Sequence, residues 1–553
     1  MAIQDLEMLF KFAGGLGMFL YGMNIMADGL QKSAGNKMKS LLSALTSNRF
    51  LAVVVGALVT AIIQSSSATT VMVVGFVNAG LLQLTQAVGV IMGANVGTTI
   101  TSWLVSMNEW GAMLKPEFFA PLVICIGAFM ILFTKENKKK EIGEILVGFG
   151  VLFIGLSFMS GSITPYKDAP IFGQAFALFG SNPILGILAG AIITALIQSS
   201  SASVGILQTL AMNGMVNWGS AIFITLGQNI GTCITAILSS AGANKTAKRA
   251  AAIHFLFNTI GAVLFGVITY VIFLFDRNLA SAPINSVQIS IFHTIFNICN
   301  TLILFPFANQ LVKLSGLLVH GDKEEEYTEN AEEELEHRLD ERILETPSFA
   351  VETVVKEVVN MGLVTLDSFK RVKKAFLEND EKSVEKVLAG EQVINGYESQ
   401  LTEYIVKINN LSLNDEQHLV VKNLLYTISD IERVGDHCEN IAELAQQKIA
   451  RKINFSEEGT KDLETMFDRA LMSFEAAVNA RLTGEQQYIE TQKKCEVKVD
   501  NLEKKLRDNH FKRLAENKCS ATTGTYYLDV ISNLERISDH ADNIANYVLE
   551  EIQ

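Results

Sequence analysis

Two copies of one polar stretch, Gln64-Ser-Ser-Ser-Ala68 and Gln198-Ser-Ser-Ser-Ala202, interrupt long apolar runs and decide the fold. A second pair follows them, Gly93-Ala-Asn-Val-Gly-Thr-Thr99 and Gly227-Gln-Asn-Ile-Gly-Thr-Cys233. Both pairs are 134 positions apart, with no gap between them. Chance similarity of apolar segments would not keep such polar residues in register over about forty positions. The chain therefore contains an internal duplication.

Short apolar arms flank each Gln-Ser-Ser-Ser segment. They cover residues 51–63 and 68–82 in the first copy, and 184–197 and 202–216 in the second. Because a helix needs about 20 apolar residues to cross a bilayer, each arm reaches only part of the way. Two such arms joined by a polar break predict a re-entrant helical hairpin in each copy.

Longer apolar stretches predict membrane-crossing helices. They lie at about 12–30, 84–107, 118–134, 142–160, 218–241, 251–275 and 288–313. We therefore expect an all-α, polytopic transmembrane domain over residues 1–313. It comprises a first repeat at about 12–134, a second at about 142–275, and a final span at 288–313. The first apolar segment has no small-residue cleavage site, so we interpret it as a retained span.

Basic residues indicate the orientation, because lysine and arginine favour cytoplasmic loops. They precede the first hairpin, fill the loop between the repeats, and follow the second Gly-x-Asn segment. These residues are Lys32, Lys37, Lys39, Arg49, Lys135, Lys138–Lys140, Lys245, Lys248 and Arg249. Placing all of them inside makes the repeats face opposite ways, a recurring transporter plan, and puts the C-terminus in the cytoplasm. A parallel duplication would need basic loops on the same side of each repeat.

Charge and cysteine usage exclude several classes of function. Residues 1–320 carry a net charge of +6 and residues 321–553 a net charge of −19, so the overall −13 indicates no nucleic-acid partner. The six cysteines form no Cys-x-x-Cys pair, which argues against a disulfide framework or a zinc ribbon. The chain has no Gly-x-x-x-x-Gly-Lys-Ser/Thr motif, and we do not expect an enzyme or an ATP-driven pump.

The polar residues predict a binding site for an oxyanion and a cation. Helix N-termini at a hairpin tip attract anions, and Ser and Gln side chains hydrogen-bond to their oxygens. Amide and carbonyl oxygens are ligands of small cations. The alternative is helix–helix packing, in which small polar residues are common. The candidates are Gln64, Ser65, Ser66, Ser67, Gln198, Ser199, Ser200, Ser201, Asn95, Thr98, Thr99, Asn229, Thr232, Asn258 and Asn297.

Two features qualify this site. No Lys or Arg lies in the middle of a predicted span, so an oxyanion there would need mobile cations as partners. Asn258 and Asn297 each follow a His by four residues, in His254-x-x-Phe-Asn258 and His293-x-x-Phe-Asn297. They either line the site or lock helices together, because residues four apart share a helix face.

These motifs resemble the type II sodium–phosphate cotransporters over about residues 8–315. The resemblance implies secondary active symport of inorganic phosphate with sodium ions, held by the two Gln-Ser-Ser-Ser segments. The residues alone indicate only an oxyanion with a co-ion. Where the first repeat has Thr99 the second has Cys233, and a thiol is a poor sodium ligand. We therefore do not expect equal ion sites in both halves.

The remainder of the chain predicts a soluble helical domain. Residues 314–346 read as a charged, solvated linker, and long amphipathic helices follow from Pro347. Asp430-Ile-Glu-Arg-Val-Gly-Asp-His437 recurs as Asn533-Leu-Glu-Arg-Ile-Ser-Asp-His540, 103 positions later. We therefore expect two three-helix bundles over 347–553, at about 347–450 and 455–553.

The repeated segment places carboxylates one helical turn apart, which suits a metal cluster. A salt-bridge stripe with Arg433 and Arg536 is the alternative. The segment resembles the PhoU family of phosphate-signalling proteins over about 347–553. That resemblance implies multinuclear iron or zinc sites and a regulatory role. The metal candidates are Glu432, Asp436, Glu439, Glu535, Asp539 and Asp542.

Together these features predict a multi-pass protein of the cytoplasmic (inner) membrane with a cytoplasmic PhoU-like domain. Its expected partners are phosphate, sodium and the lipid bilayer, while a homo-oligomer and contacts with phosphate-signalling proteins stay open. Two alternatives are a sodium-independent phosphate exporter or channel regulated by the tail, and a phosphate- or metal-sensing protein that transports little.

Overall fold

The chain folds almost entirely into helices. The computed structural model describes residues 3–45, 48–110, 115–167, 169–319, 335–336 and 338–553, without the side chains of residues 3, 35–45 and 172. Within these ranges the only β-type pairing is an isolated bridge between Asn217 and Pro283. The all-α class is confirmed. The chain divides into two compact units, Met1–Glu326 with Asp340–Phe349, and Tyr327–Leu339 with Ala350–Gln553.

The first unit contains both sequence repeats. Its helices are α1 (Ile3–Leu45), α2 (Arg49–Ile63), α3 (Ser66–Asn78), α4 (Leu84–Ser106), α5 (Pro116–Phe133), α6 (Asn137–Ile163), α7 (Pro170–Ser181), α8 (Pro183–Ile197), α9 (Ser200–Met212), α10 (Trp218–Gly231), α11 (Cys233–Ser239), α12 (Lys245–Phe275), α13 (Arg277–Ser281), α14 (Ser286–Leu304) and α15 (Ala308–Leu318). Asn48 and Asn182, which are equivalent in the repeat, cap α2 and α8 with their side chains. A matching polar residue therefore starts each hairpin.

Six described helices are long and apolar enough to span a membrane. They lie at Leu84–Glu109, Pro116–Phe133, Asn137–Tyr166, Trp218–Ser239, Lys245–Phe275 and Ser286–Leu318. The chain also bends by 116° between Gly173–Ser181 and Pro183–Ile197. The predicted span at 12–30 lies in α1, whose glycines, Asn24 and Asp28 lower its hydropathy and leave it outside this set.

The predicted loop before the first hairpin is mostly helix, because α1 continues to Leu45. Lys32 lies on this helix and pairs with Glu144 of α6 at 2.9 Å. The side chains of Lys37 and Lys39 lie outside the described residues. Sequence reasoning missed the extension because the charged residues of 32–45 read as a loop rather than as the polar end of a long helix.

Helices α1 and α6 pack backbone to backbone through glycines. A Cβ atom at Gly148 would lie 2.4 Å from the amide nitrogen of Met26 and 2.6 Å from the carbonyl oxygen of Gly22. A Cβ atom at Gly22 would in turn lie 2.4 Å from the amide nitrogen of Leu152. Small residues allow such close approach between helices in membranes. This packing fixes α1, the first helix of the first repeat, against α6, the first helix of the second repeat.

The second unit consists of long amphipathic helices. They are α16 (Pro347–Glu378), α17 (Glu381–Asn409), α18 (Asp415–Ala450), α19 (Glu457–Thr483), α20 (Gln486–Ala515) and α21 (Ala521–Ile552). Aromatic side chains fill its core, including Phe369 and Phe376 of α16 against Phe467 of α19. The six helices follow one another as α16–α18 and α19–α21, and their division into two three-helix bundles stays a prediction.

Part of the predicted solvated linker is packed. Glu341–Glu345 form a 3-10 helix in which Ile343 is fully buried, and Asp340–Phe349 belong to the first unit. Sequence reasoning missed this packing because charged residues surround Ile343 in the sequence and predict a solvated segment. Glu324–Glu326 and Glu332–Glu334 lie outside the described residues.

We expect Gly148→Leu to lower the thermal stability of the full-length chain. The new side chain must separate α1 from α6, and overpacking of this kind costs about 1–3 kcal/mol. Gly17→Leu is the matched control, because a Cβ at Gly17 meets nothing within 4 Å. Melting temperatures of both variants in the same detergent test this packing, and equal values would contradict it.

Candidate substrate site

Each Gln-Ser-Ser-Ser segment breaks a helix with the same backbone geometry. Helix α2 ends at Gln64, with φ 57° and ψ 19°, and α8 ends at Gln198, with φ 56° and ψ 21°. Both glutamines adopt the left-handed conformation, which is uncommon for residues other than glycine. Backbone strain of this kind clusters at functional sites, and among the described non-glycine residues of the first unit only Gln64 and Gln198 show it.

Side-chain hydrogen bonds brace each break. The Ser65 hydroxyl accepts from the amide of Ala68 at 3.1 Å, and the Ser199 hydroxyl accepts from Ala202 at 3.2 Å. These serines are therefore the N-caps of α3 and α9. One brace also joins the arms of each hairpin, Thr60 to Thr69 at 3.0 Å and Thr194 to Ser203 at 2.8 Å.

The two breaks meet at one cavity of about 90 Å³. Seven of the eight Gln-Ser-Ser-Ser residues line it; the exception is Ser66, which is buried. The lining consists of Leu20, Met23, Asn24, Ala27, Ile63, Gln64, Ser65, Ser67, Gln198, Ser199, Ser200 and Ser201. The tertiary structure therefore brings together segments that lie 134 residues apart in the chain.

The cavity is polar but carries no formal charge, since none of its lining residues is Asp, Glu, Lys, Arg or His. The N-cap residues of helices α3 and α9, Ser65 and Ser199, both line the cavity. Helix N-termini carry free N–H groups and a partial positive charge, which favours an oxyanion. Hydroxyl and amide groups add donors and acceptors of both kinds.

Asn24 is a lining residue that sequence reasoning missed. It belongs to α1, is exposed, and brings the only polar side chain of the lining from outside the two repeated segments. It lies in α1, outside the repeated polar segments, and Phe158 stands at the equivalent position of the second repeat. The feature of the sequence that could have pointed to it is its spacing from Asp28, since two polar residues one helical turn apart interrupt the apolar stretch.

The other predicted site residues do not line this cavity. Asn95 and Asn229 are buried and donate to carbonyl oxygens of their own helices, Ile91 at 2.8 Å and Thr225 at 2.9 Å. The hydroxyls of Thr98, Thr99 and Thr232 also donate to carbonyl oxygens one turn back.

Asn258 and Asn297 are fully buried on α12 and α14. Their amide nitrogens donate to the carbonyl oxygens of His254 and His293, at 3.1 and 2.9 Å. Their side-chain oxygens have no hydrogen-bond partner. A role of either residue in ion binding stays a prediction.

The residues that support the two breaks differ between the repeats. Thr101 of α4 donates to the side-chain oxygen of Gln64 at 3.1 Å. In the second repeat, Gln228 donates to the carbonyl and the hydroxyl of Ser203, both at 2.9 Å. Alanine stands at the position equivalent to Gln228 in the first repeat, so the two halves of the site are not interchangeable.

In the second unit, two groups of three carboxylates could each hold a metal ion. Glu391 of α17 joins Asp436 and Glu439 of α18, and Glu496 and Asp500 of α20 join Asp539 of α21. Ligand oxygens within each group lie within 4.8 Å of one another. Oxygen ligands from two facing helices suit divalent cations.

Electrostatics within the second group favour a cation. Burial, together with the nearby carboxylates of Asp500, Asp539 and Asp542, raises the pKa of Glu496 to about 7 against the hydrogen bond from Ser538, which lowers it. Burial and Asp500 also raise the pKa of Asp539. Like charges held together in this way would be neutralised by a bound metal.

The structure therefore brings only some of the predicted metal ligands into these two groups. Asp436, Glu439 and Asp539 lie in the two carboxylate groups, whereas Glu432, Glu535 and Asp542 do not. Sequence reasoning missed Glu391, Glu496 and Asp500, because they lie on the preceding helices and outside the repeated segment. The i, i+4 spacing of Glu496 and Asp500, which places two carboxylates on one helix face, is the sequence feature that could have identified this pair.

A polytopic helical unit with a neutral polar cavity between two broken helices, followed by a second helical unit, is the architecture of a membrane transport protein. The chain belongs to the family described as Na+/Pi-cotransporter, which matches residues 18–161 and 170–291. The PhoU domain matches residues 358–445 and 463–548. Both predicted resemblances are confirmed.

Relatives match the chain over different lengths. "Putative inorganic phosphate export protein YjbB" of Salmonella typhimurium is 25% identical over 98% of both chains. "Uncharacterized protein YqeW" of Bacillus subtilis is 31% identical over 56% of this chain and 98% of its own length. "Sodium-dependent phosphate transport protein 2A" of Rattus norvegicus is 34% identical over 18% of this chain and 16% of its own.

We expect Glu391→Gln and Glu496→Gln each to weaken Zn²⁺ binding by the full-length chain about tenfold, because each removes one anionic ligand oxygen. Glu385→Gln is the control, since Glu385 is exposed on the same helix as Glu391. Calorimetric titration of chelator-treated protein measures the affinities. Identical titrations for all three variants would show that these carboxylates hold no metal.

Proposed function

We propose that the chain carries inorganic phosphate across the cytoplasmic membrane by sodium-coupled secondary transport. The observation that carries this proposal is the neutral cavity framed by both Gln-Ser-Ser-Ser segments. A phosphate anion there meets helix N-termini, hydroxyls and amides but no fixed cation. Co-bound sodium ions supply the missing positive charge, since an uncompensated anion in a low-dielectric site is costly.

The fold supports alternating access around this site. In the proposed arrangement α2–α3 and α8–α9 are re-entrant hairpins of two inverted repeats, whose tips meet near the bilayer midplane. Broken helices at the interface of inverted repeats hold substrate and ions in several transporter folds. The matching backbone at Gln64 and Gln198 supports a common role for the two tips.

The names of the relatives support phosphate as the substrate. The rat relative is named as a sodium-dependent phosphate transport protein, and the Salmonella relative as a phosphate export protein. Phosphate export without sodium coupling is the second candidate function, because the Salmonella relative matches both units over 98% of its length. In either case, the PhoU-like unit lies in the cytoplasm and regulates the flux.

A sodium gradient should drive phosphate uptake by the full-length chain in proteoliposomes. Radiolabelled phosphate accumulates with inward sodium and only equilibrates with choline in its place. Equal uptake under both conditions would support the export candidate instead. An absence of flux in both directions would contradict transport altogether.

The two break residues should both be required for this flux. We expect Gln64→Asn and Gln198→Asn each to reduce the initial rate at least tenfold, because the amide retracts by one methylene while Asn still tolerates the left-handed backbone. Gln174→Ala is the control, since Gln174 is exposed on α7 and does not line the cavity. Full activity of both Asn variants would remove the breaks from the site.

Asn24 should control the dependence on sodium. Asn24→Lys places a fixed positive charge at the cavity, so we expect phosphate binding to need less sodium than in the wild type. Asn24→Met, which has no charge, should weaken phosphate binding severalfold and leave the sodium dependence unchanged. Phosphate KM at several sodium concentrations measures both effects. An unchanged sodium dependence in Asn24→Lys would argue against coupling by charge compensation.

A further inference from the structure

The segment Asp340–Phe349 is held against the first unit by a charged side chain. Arg342 donates to the carbonyl oxygens of Ser239 at 2.6 Å and Ala241 at 3.4 Å, at the end of α11 and in the turn that follows. The last carbonyls of a helix lack partners within the helix and carry a partial negative charge. The guanidinium of an arginine at this position donates hydrogen bonds to these carbonyls and brings a positive charge to them.

The same segment also binds the end of α3. The side chain of Asp340 accepts from the amide of Asn78 at 2.6 Å and pairs with Arg342 at 2.5 Å. Asn78 in turn accepts from the backbone amide of Asn244 at 2.8 Å, in the turn before α12. The Asp340–Arg342 pair therefore joins α3 of the first hairpin to the α11–α12 turn of the second repeat.

Apolar contacts complete the interface. Ile343 is fully buried, and the rings of Phe349 and Phe76 meet edge to face with centroids 5.6 Å apart. Gly75 provides the space for this approach. A Cβ atom there would lie 2.9 Å from Cβ of Arg342 and 3.4 Å from Cγ1 of Ile343.

This surface exists on one hairpin only. Gly75, Phe76 and Asn78 of α3 all contact the segment, and the duplication places Thr209, Leu210 and Met212 at the equivalent positions of α9. Threonine would occupy the space that Gly75 leaves open, and methionine cannot form the two hydrogen bonds of Asn78. The first copy has therefore diverged from the second at the positions that the segment contacts.

We propose that the C-terminal half of α3 and the α11–α12 turn form an intramolecular peptide-binding site, and that Asp340–Phe349 in this site restrains the first hairpin and slows transport. The inference rests on the proposed transport function. The N-cap of helix α3, Ser65, lines the cavity, and its last residue, Asn78, contacts the bound segment. Holding the far end of a rigid helix limits the movement of its tip, and alternating access requires such movement.

The residues on both sides of the segment belong to the second unit, so the segment is covalently joined to that unit at each end. Arg338, two residues before Asp340, pairs with Glu357 at 3.0 Å and donates to Tyr397 at 2.8 Å. A change of state in the PhoU-like unit that displaces Arg338 would pull on Asp340 through a single intervening residue. Release of the segment then frees the hairpin.

The test compares two release variants with a control in the full-length chain. Arg342→Ala removes the contacts to α11, and Gly75→Thr gives α3 the residue of the other hairpin and displaces the segment. Glu345→Ala is the control, because Glu345 is exposed in the same short helix. Hydrogen–deuterium exchange of residues 340–346 reports docking, and phosphate flux in proteoliposomes reports transport.

We expect both release variants to exchange at least tenfold faster over 340–346 and to carry phosphate at least three times faster than the wild type, with Glu345→Ala unchanged. A synthetic peptide of residues 338–349 should slow Arg342→Ala again. Faster exchange with unchanged or slower flux would overturn the restraint alone, as would unchanged exchange in both release variants. No phosphate flux by the wild type in either direction would overturn the proposed function and this regulation with it.

Discussion

Polar residues inside a membrane must be satisfied by the protein itself, and the rest of this structure depends on how that constraint is met at two helix breaks. At Gln64 and Gln198 the backbone leaves the helix in the left-handed conformation. Serine side chains cap the helices that follow, and a hydroxyl pair braces each hairpin. The donors and acceptors that remain face one shared cavity, so the cost of breaking a helix is offset and a binding surface results.

Duplication provides two equivalent tips, but their surroundings have diverged. Thr101 supports Gln64, whereas Gln228 supports the arm of the second hairpin. The far end of α3 binds Asp340 through Asn78, while the equivalent end of α9 carries Met212. A transporter with one restrained and one unrestrained hairpin can be regulated through a single element, which an exact two-fold repeat could not offer.

Charge is handled in opposite ways by the two units. The cavity of the first unit is lined without any ionisable side chain, and in the proposed transport function the charge arrives with the substrate and its co-ions. The second unit concentrates carboxylates until burial and mutual repulsion raise the pKa of Glu496 to about 7. In both proposals, bound ions supply the charge that the protein side chains leave uncompensated.

The sequence by itself determined the helical class, the duplication, the family and the two breaks, because periodicity, apolar length and repeated polar residues are local properties of the chain. Gln64–Ser67 and Gln198–Ser201 were found in this way. Only the tertiary structure decided which residues, far apart in the chain, contact one another. Asn24 reaches the cavity from α1, Glu391 and Glu496 reach their carboxylate partners from neighbouring helices, and Arg342 reaches Ser239 across about a hundred residues. None of these pairings leaves a periodic signal, because each depends on how helices pack and not on what any one helix contains.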